Sequence, residues 1–153
     1  MEGSLTGRLI LIAEDEPLIS LDIKQTFEEE GAQVIVARTL NDALHGVEHP
    51  ALSAAVLDYA LGGGDSSGVC ARMQERKIPF VVYTGYDNPG GAFSYGVHVK
   101  KPASLSELVT TVRGLIAGAA SQETDVDRAT AALSTRAGSA QIESRGIPMG
   151  SRI

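Results

Sequence analysis

The chain has 153 residues, a formal net charge of -6 at pH 7 and 43% hydrophobic residues. That length is sufficient for one domain with a hydrophobic core. The negative charge argues against a nucleic-acid-binding surface, since contact with phosphates needs a basic face. The sequence contains no apolar run of about 18 residues, the length that a membrane-spanning helix requires, so a membrane protein is not expected.

Neither a secretion signal nor a disulfide framework is evident. The N-terminal residues 1–4 lack the basic and apolar regions of a signal peptide. Cys70 is the single cysteine, which excludes intrachain disulfides and favours a reducing compartment. We therefore expect a cytoplasmic protein in which Cys70 is a core thiol.

Strand-like and helix-like patterns alternate along the first 120 residues. Short apolar runs bounded by turn residues predict buried strands, and apolar residues three or four apart predict amphipathic helices. The predicted strands are 8–13, 33–37, 53–58, 79–84 and 96–100. The predicted helices run from Pro17 to Gly31, from Asn41 to His49, from a cap at 65–67 to Arg76, and onward from a cap at Ser104.

The first predicted helix begins at Pro17, whose missing N–H is no loss in a first turn. Its buried stripe is predicted to consist of Ile19, Ile23 and Phe27, which are four residues apart. Gly31 is expected to end the helix.

The alternation of strands and helices predicts the fold class. It is typical of βαβ units with right-handed crossovers, which build an α/β fold: a doubly wound, five-stranded parallel sheet with helices on both faces. Residues 87–91, Asp-Asn-Pro-Gly-Gly, break any helix and predict a shortened fourth helix. The domain is expected to span 1–120, followed by a polar C-terminal tail, 121–153, that is weakly helical or disordered.

Chemically active side chains follow the ends of four predicted strands. Glu14 and Asp15 follow the first strand, Asp58 ends the third, Thr84 ends the fourth, and Lys101 follows the fifth. Because the carboxyl ends of parallel strands meet at one edge of a sheet, we expect these residues to lie together. Carboxylates that pack together repel each other, and a hard divalent cation such as Mg²⁺ neutralises them.

Phosphoryl transfer to Asp58 is the chemistry that suits this set. An aspartate carboxylate can accept a phosphoryl group covalently. Lys101 offers a positive charge and Thr84 a hydroxyl donor to the phosphoryl oxygens. Each residue alone has a plainer explanation, such as an exposed helix start or a turn, so the prediction depends on the four strand ends occurring together.

The same positions resemble the motif set of response-regulator receiver domains. The resemblance covers about residues 8–118, is carried by four motifs in the family's order, and indicates a stand-alone, single-domain response regulator. It implies a flavodoxin-like sheet with strand order 2-1-3-4-5. The motifs are Ile-Ala-Glu14-Asp15-Glu16-Pro17, Val-Leu-Asp58, Tyr-Thr84-Gly85-Tyr86 and Lys101-Pro102.

The resemblance implies a role for each motif residue. Asp58 is the phosphoacceptor, and Thr84 and Lys101 bind the phosphoryl oxygens with help from the main-chain N–H groups of Ala60 and Gly85.

The implied cofactor is Mg²⁺. The resemblance assigns Asp15 as a direct ligand, Glu14 as a ligand through water, and Asp58 and the main-chain carbonyl of Ala60 as the remaining protein ligands. The following run, 62–64, is expected to be a flexible glycine loop beside the acceptor.

The sequence departs from the family pattern near the last motif. The family often has an aromatic switch residue three positions before the lysine, and here that residue is His98. Tyr86 or Tyr95 is the alternative switch residue. Lys100 is an alternative phosphoryl-binding lysine by chemistry, but Lys101 directly precedes the proline as the motif requires.

The implied function is that of a phosphoacceptor in a two-component phosphorelay, with a histidine kinase or a histidine phosphotransfer protein as donor. The output is binding to an unidentified protein target or service as a phosphate sink, and a homodimer is left open. A second interpretation is a pseudo-receiver that never takes phosphate. A third is a phosphatase with an aspartate nucleophile, which is disfavoured because Ala60 stands where a second acid is usual. We expect no enzyme activity beyond self-phosphorylation and autodephosphorylation.

Overall fold

A computed structural model describes residues 4–85 and 90–119. The predictions for Tyr86 and for the tail, 121–153, lie outside the described residues. In chain order the elements are β1 (Leu9–Ala13), α1 (Pro17–Glu29), β2 (Gln33–Ala37), α2 (Leu40–Gly46), β3 (Leu52–Leu57), β4 (Ala60–Leu61), β5 (Gly64–Asp65), α3 (Ser67–Glu75), β6 (Phe80–Thr84), a 3-10 helix (Gly91–Tyr95), β7 (Val97–Lys100) and α4 (105–119).

Five strands form one parallel sheet in the order β2-β1-β3-β6-β7. Since β6 and β7 are the fourth and fifth strands of that sheet, this is the predicted order 2-1-3-4-5. All five residues of β1 are buried, as expected for an inner strand covered on both faces. The doubly wound α/β fold is therefore confirmed.

The sheet separates two hydrophobic clusters, one on each face. Successive side chains of a strand point to opposite faces, so Leu11 of β1 belongs to one cluster and Ile12 to the other. The first cluster holds apolar residues of α2, α3 and the 3-10 helix, and the second holds those of α1 and α4. Among the described residues, none of the helices combines the length and apolar character that crossing a membrane requires.

The buried stripe of α1 differs from the prediction at one position. The buried residues are Ser20, Ile23 and Phe27, whereas Ile19 is 37% exposed. Ser20 can be buried because its hydroxyl donates to the carbonyl of Pro17 at 2.9 Å. Gly31 follows the helix with a φ of 92°, a backbone conformation that favours glycine.

The connection between β6 and β7 carries the shortened helix that the sequence predicts. The described part of it is a single 3-10 turn, Gly91–Tyr95, in which Phe93 is buried against the sheet. Gly90 and Gly91 have φ values of 80° and 57°, which side chains rarely adopt. A regular fourth helix is absent from the described part of this connection.

The glycine segment after β3 is more ordered than predicted. Instead of a flexible loop, β4 and β5 form a short antiparallel ribbon that pairs Ala60 with Asp65. Gly63 and Gly64 adopt φ values of 109° and 149°, so the tight reversal depends on glycine. The ribbon leads directly into α3.

Cys70 is buried in α3, as expected for a core thiol. Burial raises the pKa of this thiol to about 12. The group therefore stays protonated at neutral pH and does not act as a nucleophile.

Candidate functional site

The carboxyl ends of β1 and β3 bring three acids together. Ala13 and Leu57 are paired in the sheet, and the N–H of Asp58 donates to the carbonyl of Ala13 at 2.9 Å. Glu14, Asp15 and Asp58 each offer a carboxylate oxygen, and these oxygens lie within 4.8 Å of one another. The predicted meeting of the first and third strand ends is thus present.

The three acids have different surroundings. Glu14 is only 2% exposed, Asp58 is partly buried, and Asp15 is exposed. Burial raises the pKa of Glu14 and the charge of Asp58 raises it further, although a hydrogen bond from the N–H of Glu16 and the charge of Lys101 oppose both. Ionisation of Glu14 therefore lowers the stability of the folded protein, and a bound cation would offset this loss.

Lys101 lies between two of the carboxylates. Its Nζ is 3.2 Å from Asp58 Oδ2 and 3.3 Å from Glu14 Oε1. Burial opposes the charged form, but the attraction of both carboxylates outweighs burial and raises the pKa of Lys101. The side chain of Lys101 is thus a cation at neutral pH. Lys101 is half-buried beside the acids, whereas Lys100 is exposed. This geometry favours Lys101 as the lysine of the site.

Two residues of β6 accompany Lys101. The N–H of Lys101 donates to the carbonyl of Thr84 at 2.9 Å, and Thr84 is buried at the strand end. The ring of Tyr83 lies beneath Lys101, with Nζ 5.1 Å from the ring centroid. The hydroxyl of Tyr83 contacts the carbonyl of Ala103 at 3.3 Å. Sequence reasoning missed Tyr83, because nothing in an apolar strand reveals which residue faces a lysine from another strand.

The chain around Asp58 is fixed by further hydrogen bonds. The N–H of Tyr59 donates to Asp58 Oδ1 at 2.8 Å. The hydroxyl of Ser66 donates to the carbonyl of Asp58 at 2.6 Å. Ala60 is exposed at the start of the ribbon, two residues after Asp58. Sequence reasoning assigned residues 65–67 to a helix cap and did not foresee this bond.

The described candidates for a switch residue lie in different settings. His98 is half-buried, and its Nε2 is 2.7 Å from the carbonyl oxygen of Phe93. His98 Nδ1 is buried and has no hydrogen-bond partner among the described residues. Tyr95 is 59% exposed on the 3-10 helix. The ring of Phe93 packs on that of Tyr59, with centroids 4.9 Å apart.

A cleft of about 340 Å³ adjoins Lys101 on the side of α1 and α4. It explains the exposure of Ile19, which forms part of its wall rather than part of the core. The residues that line it are Ile19, Asp22, Tyr83, Lys101, Pro102 and Leu105.

The family described as response regulator receiver domain matches residues 10–113. The chain belongs to this family. It is therefore a receiver domain of the kind found in two-component response regulators. The matched range contains the four strand ends described above and all of the sheet except Leu9.

Relatives and solved structures agree with this assignment. The chain is 32% identical over 125 residues to the transcriptional regulatory protein TcrA of Mycobacterium tuberculosis, covering 74% of this chain and 47% of that protein. It spans about half the length of the curated relatives it matches.

Two solved receivers show the same fold. A CheY-like receiver of Methanospirillum hungatei has a TM-score of 0.69 at 22% identity, covering 75% of this chain and 98% of that one. The response regulator TrrA of Thermotoga maritima, solved in complex with Mg²⁺-BeF, has a TM-score of 0.64 at 23% identity, covering 71% and 98%.

Proposed function

We propose that this receiver domain accepts a phosphoryl group on Asp58 as a step of a two-component phosphorelay. The observation that carries the proposal is the meeting of Asp58 with two further acids and with the Nζ of Lys101 at one edge of the sheet. A carboxylate nucleophile beside a cation site and a lysine is suited to phosphoryl transfer.

The donor set fits Mg²⁺. Carboxylate oxygens of Glu14, Asp15 and Asp58 within 4.8 Å of one another match the hard oxygen ligands that this ion prefers. Glu14 and Asp58 repel each other, which a divalent cation would offset. The main-chain carbonyl of Ala60, an exposed residue, is the proposed fourth protein ligand. TrrA, a distant structural relative, was solved with Mg²⁺-BeF, which supports the assignment by analogy.

The reaction needs little from the protein beyond positioning and charge. A carboxylate oxygen of Asp58 forms a bond to the phosphorus of a phosphohistidine, the histidine N–P bond breaks, and its electron pair stays with the imidazole nitrogen. Mg²⁺ would supply charge neutralisation for the carboxylates and the phosphoryl oxygens. Lys101, now paired with Asp58 Oδ2, and the hydroxyl of Thr84 would bind the transferred group.

The phosphoryl donor is proposed to be a histidine kinase or a histidine phosphotransfer protein in the cytoplasm. The output is proposed to be binding to a protein target or removal of phosphate from the kinase. Transfer of the Lys101 contact from the carboxylate to the phosphoryl group would pull on β7 and hence on the 3-10 turn next to it. Because the chain acts as acceptor, no turnover of free substrate is expected.

Labelling with a phosphodonor tests the proposal. The full chain is incubated with Mg²⁺ and a labelled small phosphodonor, and Asp58→Asn is compared with Asp65→Asn. Asp65 is an exposed acid whose carboxylate bonds to Ser67 instead of joining the cluster. We expect label in the wild type and in Asp65→Asn and none in Asp58→Asn. Equal label in Asp58→Asn would refute Asp58 as acceptor, and an unlabelled wild type would make the chain a pseudo-receiver.

A further inference from the structure

Ser66 lies behind the proposed phosphoacceptor, outside the acidic cluster. It is completely buried and occupies the N-cap position of α3, yet its side chain makes no capping bond to that helix. Its hydroxyl donates instead to the carbonyl of Asp58 at 2.6 Å, with the carbonyl of Tyr59 at 3.2 Å. Asp65 Oδ1 accepts the N–H and the hydroxyl of Ser67. The buried Ser66 hydroxyl therefore bonds to the main chain that follows β3 and not to its own helix.

Ser66 holds two successive carbonyls on one side of the chain. Its hydroxyl binds that of Asp58, and its N–H donates to that of Tyr59 at 2.8 Å. In a planar trans peptide the N–H points opposite to the C=O. The N–H groups of Tyr59 and Ala60, which share these two peptide planes, therefore point away from Ser66. The first of them donates to Asp58 Oδ1 at 2.8 Å, in agreement with this geometry.

Two successive N–H groups on one side of a turn form a cradle for an anion. Asp58 is held from the other direction as well, because its own N–H donates to Ala13 of β1 at 2.9 Å. The turn that carries the acceptor is thus attached at both ends. Among the described bonds to the main-chain carbonyl groups of Asp58 and Tyr59, those of the Ser66 hydroxyl come from a side chain.

We propose that Ser66 is a positioning residue that orients the N–H groups of Tyr59 and Ala60 toward the Asp58 carboxylate and the phosphoryl group it accepts. The inference rests on the proposed function, since the phosphoryl group is the anion that the cradle would bind. It adds the N-cap residue of α3 to a site otherwise built from strand ends.

The neighbouring serine provides a matched control. Ser66→Ala removes the bond to the Asp58 carbonyl but keeps the main-chain N–H bond to Tyr59. Ser67→Ala makes the same change one residue later, where the hydroxyl bonds to the exposed Asp65. Ser66→Thr keeps a hydroxyl at the buried position and serves as the conservative variant.

Amide hydrogen exchange in metal-free protein measures the positioning directly. We expect the Tyr59 amide of Ser66→Ala to exchange about 10-fold faster than in the wild type, the order of effect expected when one hydrogen bond that fixes the turn is lost. Exchange of the Leu11 amide in β1 corrects for any loss of global stability. Ser67→Ala is expected to match the wild type, and Ser66→Thr to restore slow exchange.

The phosphodonor reaction supplies the second measurement. We expect the initial labelling rate of Ser66→Ala to fall about 10-fold at saturating Mg²⁺ while that of Ser67→Ala is unchanged. Equal exchange and equal labelling in the two alanine variants would overturn the role of Ser66 and leave Asp58 as acceptor. A wild type that takes no label would overturn the proposed function, and the exchange comparison would then decide alone whether Ser66 orients the Asp58–Tyr59 turn.

Discussion

The turn after β3 and the described segment after β6 are attached to the sheet in different ways. Residues 58–66 are held by main-chain groups and a buried hydroxyl, through bonds from Asp58 to Ala13 and from Ser66 to two carbonyls. The described contacts that join residues 90–96 to the rest of the domain come from side chains: the ring of Phe93 packs on Tyr59, and the imidazole of His98 in β7 bonds to the Phe93 carbonyl. The proposed acceptor Asp58 is thus fixed largely through the main chain, whereas the described 3-10 segment depends on side-chain contacts.

The two regions are also joined to each other. Tyr59, next to Asp58, packs on Phe93 of the 3-10 helix, and β7 carries His98 three residues before Lys101. Lys101 returns to Asp58 through its salt bridge. A change in charge at Asp58 would therefore affect the 3-10 turn by two routes, through the contact of Tyr59 with Phe93 and through Lys101 and β7.

The largest loss of stability is expected from removal of the Phe93 ring, which joins the two regions by its contact with Tyr59. Phe93→Ala removes a side chain that is only 4% exposed, and we expect it to lower the free energy of unfolding by about 3 kcal/mol. Tyr95→Ala, on the same 3-10 turn but 59% exposed, is expected to change it by less than about 0.5 kcal/mol. Urea denaturation of both variants makes the measurement, and equal losses would show that Phe93 does not anchor the turn.

The next largest loss of stability is expected from replacement of Lys101, which forms a salt bridge with the proposed acceptor Asp58. Lys101→Met leaves the buried Glu14 facing Asp58 without its cation, so we expect a loss of about 2 kcal/mol in metal-free buffer. Lys100→Met, at an exposed neighbouring position, is the control. Labelling by the phosphodonor should fall in the first variant and persist in the second. The reverse pattern would assign the phosphoryl contact to Lys100.

A smaller effect, opposite in sign, is expected at Glu14. Its pKa is raised above the ordinary value of 4.5, chiefly by burial, so the ionised carboxylate destabilises the folded state as pH rises through that raised pKa. Glu14→Gln should therefore raise the free energy of unfolding by about 1 kcal/mol at neutral pH in metal-free buffer, with no gain below about pH 4. Glu28→Gln, an exposed acid on α1, controls for net charge. A gain independent of pH would contradict the assigned cause.

The smallest effect is expected at the imidazole. His98→Phe loses the hydrogen bond to the Phe93 carbonyl but also removes the unpartnered Nδ1, so we expect a loss of only about 0.5 kcal/mol. Faster amide exchange at Gly96, whose N–H donates to the same carbonyl, would report loosening of the turn. Val97→Ala, at a 40% exposed neighbour, should leave that exchange unchanged. An unchanged exchange rate of the Gly96 amide in His98→Phe would show that His98 does not stabilise the turn.

In both regions, features that depend on a short stretch of sequence could be predicted. The strand ends were predictable because each apolar run stops on a polar residue, and Glu14, Asp15, Asp58 and Lys101 lie together as their pattern indicates. The shortened fourth helix followed from the Pro-Gly-Gly run before it. Both features depend on local chemistry that a single stretch of sequence contains.

The differences arise where distant segments meet. The prediction for Ile19 was wrong because this side chain lines the cleft beside Lys101, and the buried position is taken by Ser20, whose hydroxyl bonds within its own helix. Ser66 reads as a helix cap, and only the ribbon before it brings its hydroxyl to Asp58. Tyr83 is part of the site because Lys101, which follows another strand, lies over its ring. No periodicity within one segment contains such contacts.

The most direct test of the account is a titration of the metal-free chain with Mg²⁺, followed through the backbone amide resonances of the wild type and of Asp15→Asn. We predict saturable shifts confined to the neighbourhoods of residues 14–15, 58–60 and 101, and their loss or marked weakening in the variant. Shifts spread over exposed acids such as Glu28 and Glu29, identical in the two proteins, would contradict a single magnesium site beside Asp58.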